Sequence, residues 1–246
     1  MATARPDLER PAFYALRSGG WRDLVTLLHP PYTAWHLSYV ALGAAAAPHV
    51  HAVRLCAALG AFLLAVGVSA HALDELNGRP LKTALRRRSL IVLAVVSLAG
   101  ALAIGVVGAV VVSPLLVPLV VAGGLVVPAY NLEWAGGRFH SDAWFALAWG
   151  GFPAFTGYFV NALSIRPAGI LVSAACVLLS VAQRRLSTPA RELRRRTASV
   201  SGEQRLTDGR TLELTRARLS APLEGALSAM SLALVLLAAG LIALRL

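Results

Sequence analysis

The run His71-Ala-Leu-Asp74-Glu75-Leu-Asn77-Gly-Arg79-Pro80-Leu-Lys82 sets ionisable side chains at the end of an apolar stretch and follows them with a basic turn. On a helix, His71, Asp74 and Glu75 stand at i, i+3 and i+4, one turn apart on one face. A carboxylate in hydrocarbon costs about 2.5–3.5 kcal/mol at a helix centre, so such residues turn toward a bundle interior or a water-filled cavity. If these do, they mark a site open to one side of a membrane, with Asn77, Arg79 and Lys82 beside it. Two other polar segments could join them. Tyr130-Asn131-Leu-Glu133-Trp134-Ala-Gly-Gly-Arg138-Phe-His140-Ser-Asp142 supplies donors and acceptors, Tyr130, Asn131 and Arg138 foremost. Gln183-Arg184-Arg185-Leu-Ser187-Thr188 is basic and meets no acid before Glu192, which suits Arg184 and Arg185 to bidentate contacts with phosphate. Each has a plainer role to compete with: Asp74 and Glu75 snorkelling to pair with Arg79 or Lys82, His71 packed in a bundle, Arg184 and Arg185 as interfacial anchors, Tyr130 and Trp134 in an aromatic belt.

The elements that would position these groups are membrane helices. The chain is 57% apolar and 14% charged, and a spanning helix needs about 20 predominantly apolar residues. Residues 89–112 and 223–244 satisfy that outright, and 53–76 and 143–163 come close. Residues 32–50, 115–130 and 167–183 are shorter or more polar, and Ser113-Pro114 marks a tight turn between two spans. The expectation is an all-α polytopic bundle of about seven helices forming one membrane domain over residues 1–246, with a basic loop at 184–220. Within that loop, residues 191–203 are expected as a surface helix whose arginines meet anionic lipid.

Charge supports the same arrangement. With the N-terminus inside, every one of the 23 lysines and arginines except Arg54, Arg166 and Arg245 falls on the cytoplasmic side, as the positive-inside rule requires. The net charge of +11 is then topological. Nucleic acid is not the expected partner, since no helix-turn-helix, RNA-binding or zinc-finger pattern accompanies the arginines. Cys56 and Cys176 both lie inside expected spans and read as small packing residues.

Several of these pieces, taken in order, resemble the UbiA-type superfamily of intramembrane prenyltransferases. Leu28-His29-Pro30-Pro31 leading into Trp35, Ser38, Tyr39 and Gly43 looks like the family's first helix; Asp74 running into Gly78-Arg79-Pro80-Leu81 looks like its first aspartate motif; Tyr130-Asn131 and Gly150-Gly151-Phe152-Pro153 resemble its tyrosine loop and fifth helix. The resemblance implies a helical bundle with a central cavity open to the cytoplasm and to lipid in a prokaryotic-type cell membrane. It implies Mg²⁺ held by carboxylates, here Asp74 and Glu75, against a prenyl diphosphate or another isoprenoid lipid. Loss of diphosphate would leave an allylic cation for a lipophilic acceptor to attack.

This chain departs from the family pattern at both metal motifs. Ala70 and Gly78 stand where further ligands of the first motif are expected, although His71 and Glu75 could fill a shifted register. The segment 180–188, where the second motif belongs, has no carboxylate, and arginines there could take over the phosphate directly. Three readings follow: a divergent enzyme transferring or processing a prenyl group, a non-catalytic binder of a polyprenyl or quinone-like lipid or of a membrane partner, and an unrelated metal enzyme using His71, Asp74, Glu75, Glu133 and His140.

Overall fold

The computed structural model describes residues 10–246; Arg5, counted above in the N-terminal charge, lies outside them. After a short helix α1 (Trp21–Leu27), α2 (Pro30–Ala45) leads into α3 (Ala52–Leu76), α4 (Arg87–Val111) and α5 (Pro114–Asn131). A helix α6 over 142–162, then α7 (Pro167–Arg195) and α8 (Arg216–Ala243), complete the bundle. Between α7 and α8 lies a hairpin, β1 (Glu203–Arg205) antiparallel to β2 (Thr211–Glu213), with Gln204 opposite Leu212.

Five of these helices, α3, α4, α5, α7 and α8, are long and apolar enough to cross a membrane. Their outer faces are correspondingly greasy: Val92, Val95, Val96, Val106, Val107 and Val110 of α4 are all exposed, an apolar surface that a water-soluble protein would not leave open. All seven apolar runs of the sequence are helical. The weakness of the 32–50 run has a structural cause. Its helix, α2, sits at the centre, in contact with α3, α6, α7 and α8, and Trp35, Tyr39, Val40 and Ala44 are fully enclosed. A helix that meets protein instead of lipid can carry Ser38, His36 and small residues without a hydropathy signal.

Small residues let α2 and α6 touch along their backbones, as small-residue stripes do between membrane helices. A Cβ at Gly157 would lie 2.0 Å from the Val40 carbonyl oxygen, and one at Gly43 would lie 1.9 Å from that of Ala154. Neither obstacle can rotate away, so the helices would have to part. Gly157→Val is expected to cost at least the about 1–3 kcal/mol typical of overpacking, read as lost monodispersity and a lower melting temperature in detergent. Gly240→Ala, where nothing lies within 4 Å, should leave both unchanged.

The main difference from the sequence reading lies after Gln183. The basic stretch begins not as a loop but as the last turns of α7, which continue through Pro189 to Arg195. The surface helix expected over 191–203 is absent: that segment leaves the helix at Arg196 and enters the hairpin, and α8 begins at Arg216, ahead of the apolar run. Hydropathy marks where a helix leaves hydrocarbon, whereas its hydrogen bonds continue while polar residues still find partners on one stripe.

Candidate functional site

The ends of α3, α5, α6 and α7 and the start of α2 enclose a polar cavity of about 510 Å³. Both long π-helical segments, Leu63–Ala70 in α3 and Leu147–Gly151 in α6, border it, and such widened turns recur at functional sites. Of the residues expected from sequence, His71, Asp74, Tyr130, Asn131 and Arg184 line this cavity. Asp74 comes from the last turns of α3 and makes no ion pair among the described residues; Arg195, Arg191 and His140 act on it electrostatically.

Glu75, Asn77, Arg79, Lys82, Arg138 and Arg185 are not brought to it. The Glu75 side chain is fully buried on the other side of α3, where Oε2 accepts from Leu81 N–H at 2.9 Å and Oε1 accepts from Thr83 N–H at 2.8 Å and Thr83 Oγ1–H at 2.9 Å. Its lone pairs hold a loop, and unlike Asp74 it does not line the cavity where metal binding and catalysis were expected of it. Arg79 closes the same loop by donating to the carbonyls of Thr83 at 3.0 Å and Leu85 at 2.7 Å. Asn77 donates to Glu133 Oε1 at 3.3 Å near the surface. Lys82 and Arg138 are exposed on loops, and Arg185, next to Arg184 on a helix, is exposed on another face of α7.

In their place α7 supplies Arg191 and Arg195, which the sequence places in a surface helix meeting lipid headgroups. Arg184, Ser187, Thr188, Arg191 and Arg195 follow helical spacing along one stripe of α7, and all line the cavity. Arg184 is held by Asp142, Nε to Oδ1 at 2.6 Å, and lies over the Phe145 ring at 5.0 Å. Arg194 grips Glu224 of α8 with two donors, one of them at 2.8 Å. Arg191 and Arg195 have no carboxylate of their own among the described residues: Arg191 reaches Thr188 Oγ1 at 3.4 Å, and Arg195 donates to the Pro11 carbonyl at 3.0 Å. Two guanidinium groups on consecutive turns with unspent donors form a cradle for a polyvalent anion.

Histidines make up much of the remaining wall. His36, His71 and His140 each place Nδ1 against a backbone carbonyl, of Trp149 at 2.7 Å, Gly67 at 3.1 Å and Tyr130 at 3.1 Å. A carbonyl only accepts, so in each neutral ring Nδ1 carries the proton and Nε2 keeps a lone pair. His29, the residue before α2, adopts a left-handed backbone (φ 45°) and stacks on His71. Burial holds it well below its ordinary pKa of 6.5, with the charges of His71, Arg195 and Arg191 acting in the same direction.

A second hollow of about 150 Å³ lies between α3, α4, α5 and α6, walled mostly by alanine, leucine, valine and glycine with Phe62, Trp149 and Phe152, and bordered by Arg54 and Thr156. It shares Val66 and Trp149 with the polar cavity. Among the described residues no three His, Cys, Asp or Glu side chains converge as a metal site. For a metal the polar cavity offers Asp74 and the exposed Glu192 as carboxylates without an ion pair among the described residues, set among arginines. Comparison with protein-family models, curated proteins and solved structures finds no match to this chain, so its function has to be argued from this paired polar and apolar architecture.

Proposed function

We propose that the chain is a divergent UbiA-like membrane protein that takes a prenyl diphosphate, head group in the arginine-lined cavity and hydrocarbon tail in the apolar hollow, and transfers or processes the prenyl group. The observation that carries this reading is the pairing of Arg191 and Arg195, free of carboxylate partners among the described residues, with an apolar space that shares a wall with theirs. A head group of high negative charge on a single apolar tail matches both halves. In this reading seven helices lie in the membrane, with the N-terminus and the cavity mouth on the cytoplasmic side of a prokaryotic-type cell membrane, in line with the distribution of arginines.

The chemistry follows from charge. Breaking the allylic carbon–oxygen bond sends the electron pair to the diphosphate, where Arg184, Arg191 and Arg195 stabilise the developing charge, and the allylic cation left behind bonds to the nucleophile of a lipophilic acceptor, or to water, which gives up a proton to solvent. Asp74, facing the same space, orients the head group against these arginines and favours the cationic side of the separating pair. Mg²⁺ prefers several oxygen ligands and is commonly held by one or two carboxylates together with substrate phosphates. Asp74 and Glu192 are not joined by a third ligand among the described residues, so in this reading charge compensation rests with the arginines.

The donor set also supports a second reading, a non-catalytic carrier of the same lipid, because a cavity richer in arginines than in unpaired carboxylates suits holding a diphosphate as well as expelling it. Two measurements separate them. Mass spectrometry of lipid co-purified with the protein should return an isoprenoid phosphate under either reading, and a two-tailed phospholipid alone would sink both. Incubation with geranylgeranyl diphosphate should release diphosphate at least tenfold faster for the native protein than for Asp74→Asn; equal rates leave only the carrier.

A further inference from the structure

Tyr14 belongs to the segment ahead of α1, and its hydroxyl oxygen lies 2.8 Å from His29 Nδ1. Either atom could supply the proton of that bond, and the far side of the imidazole decides which does. His29 is 8% exposed, its Nε2 is buried with no hydrogen-bond partner, and its ring lies flat on that of His71, centroids 4.0 Å apart and planes 9° apart. If Tyr14 donated, Nε2 would carry a buried N–H with nothing to accept it. If Nδ1 carries the proton and donates to the Tyr14 oxygen, Nε2 keeps only a lone pair. Buried N–H groups without acceptors are the rarer and costlier defect. The second arrangement therefore holds, and it leaves the phenolic O–H of Tyr14 to be used elsewhere.

Tyr14 lines the same cavity as Arg191 and Arg195, and both charges act on it. Burial pushes its pKa well above 10.0, so it stays a donor at neutral pH. Its ring is packed edge-on to Phe13 and Tyr32, at 5.2 and 5.6 Å between centroids, contacts that do not involve the hydroxyl. We propose that Tyr14 is a further ligand for the anionic head group, its oxygen held by His29 Nδ1–H and its own proton donated to a phosphate oxygen lodged beside Arg191 and Arg195. This rests on the head-group reading above and adds to it a residue far from α7 in sequence. The chemistry recognised is phosphate, whether of a prenyl diphosphate, an anionic phospholipid or free diphosphate.

The test compares native protein with Tyr14→Phe in detergent, titrated with geranylgeranyl diphosphate, geranylgeraniol, inorganic diphosphate and phosphatidic acid. Tyr14→Phe is expected to melt within a few degrees of the native protein, to bind the phosphate-bearing ligand about tenfold more weakly, and to bind geranylgeraniol unchanged. Equal affinity of the two proteins for the phosphate ligand overturns the assignment. So does an equal loss for the alcohol and the diphosphate, which would make Tyr14 a packing residue. If native protein binds phosphatidic acid or free diphosphate, but no prenyl diphosphate, and Tyr14→Phe weakens that binding, the prenyl reading fails while Tyr14 stands. If native protein binds no phosphate compound, both fall.

Discussion

Replacing Arg191 and Arg195 together by glutamine is expected to weaken binding of a prenyl diphosphate by about a hundredfold or more. Hydrogen bonds to charged groups contribute about 1.5–3 kcal/mol each, and about 1.4 kcal/mol is tenfold in affinity, so losing two such ligands exceeds any other single site in the cavity. Arg184 should matter less. Part of its charge is already spent on Asp142, whose side chain is 76% exposed. Arg185, exposed on another face of α7, should be silent, and Arg185→Gln serves as the control for removing one positive charge from this end of the bundle. Because Arg195 also donates to the Pro11 carbonyl, the melting temperature must be followed alongside, and a double variant that is stable yet binds at native strength would refute the cradle. Isothermal titration or tryptophan quenching at fixed salt would serve, since contacts of this kind weaken with ionic strength.

Glu75→Ala is expected to be among the most destabilising substitutions at a charged position of this chain. It removes the acceptor for two backbone N–H groups and one hydroxyl in a fully buried place. At about 1–3 kcal/mol for each orphaned group, the loss amounts to several kcal/mol. The other side-chain ties of the loop, Arg79 to the carbonyls of Thr83 and Leu85 and Asp23 to Ala84 N–H, leave the N–H groups of Leu81 and Thr83 unserved. Gly78, Arg79 and Lys82 all hold left-handed backbone angles, strained for arginine and lysine and maintained only while the surrounding contacts enforce them. Glu75→Gln offers a partial rescue at best, since its amide N–H₂ would face other donors. The expected result is poor recovery and a melting temperature lowered by about 10 °C or more, with ligand affinity of the surviving folded fraction within about threefold of native. A well-folded Glu75→Ala that had lost head-group binding would return Glu75 to the site.

Asp74 and Glu75 show how far the sequence could be read. Their anomaly in an apolar run is plain from composition, and it led to the right end of α3. Adjacent residues on a helix point about 100° apart, however, so a cavity and a loop could claim one each, and only the fold decides which. His71, Tyr130, Asn131 and Arg184 were legible for a similar reason: each is polar at the edge of a span and had to find water or a partner. Arg191 and Arg195 were hidden by the habit of ending a membrane helix where hydropathy ends. A signal was there, in the helical spacing of Arg184, Ser187, Thr188, Arg191 and Arg195, which continues the periodicity of the apolar stretch before it. Tyr14 and His29 carry no such mark. They reach the cavity through the path of the chain around α1, which no local pattern records.

The wall shared at Val66 and Trp149 bears on how this protein could diversify. If the proposed ligand is right, specificity for its head and tolerance for its tail are lodged in separate rooms, one built from arginines, histidines and tyrosines, the other from residues such as Gly105, Leu119, Val120 and Gly123. A substitution at these positions touches none of Arg184, Arg191 and Arg195, which line only the polar cavity, and effects of changes at separate, unshared positions tend to add. Tail length and head chemistry can thus drift independently, and a lineage built on this plan can exchange one hydrocarbon for another while its grip on phosphate stays as it was.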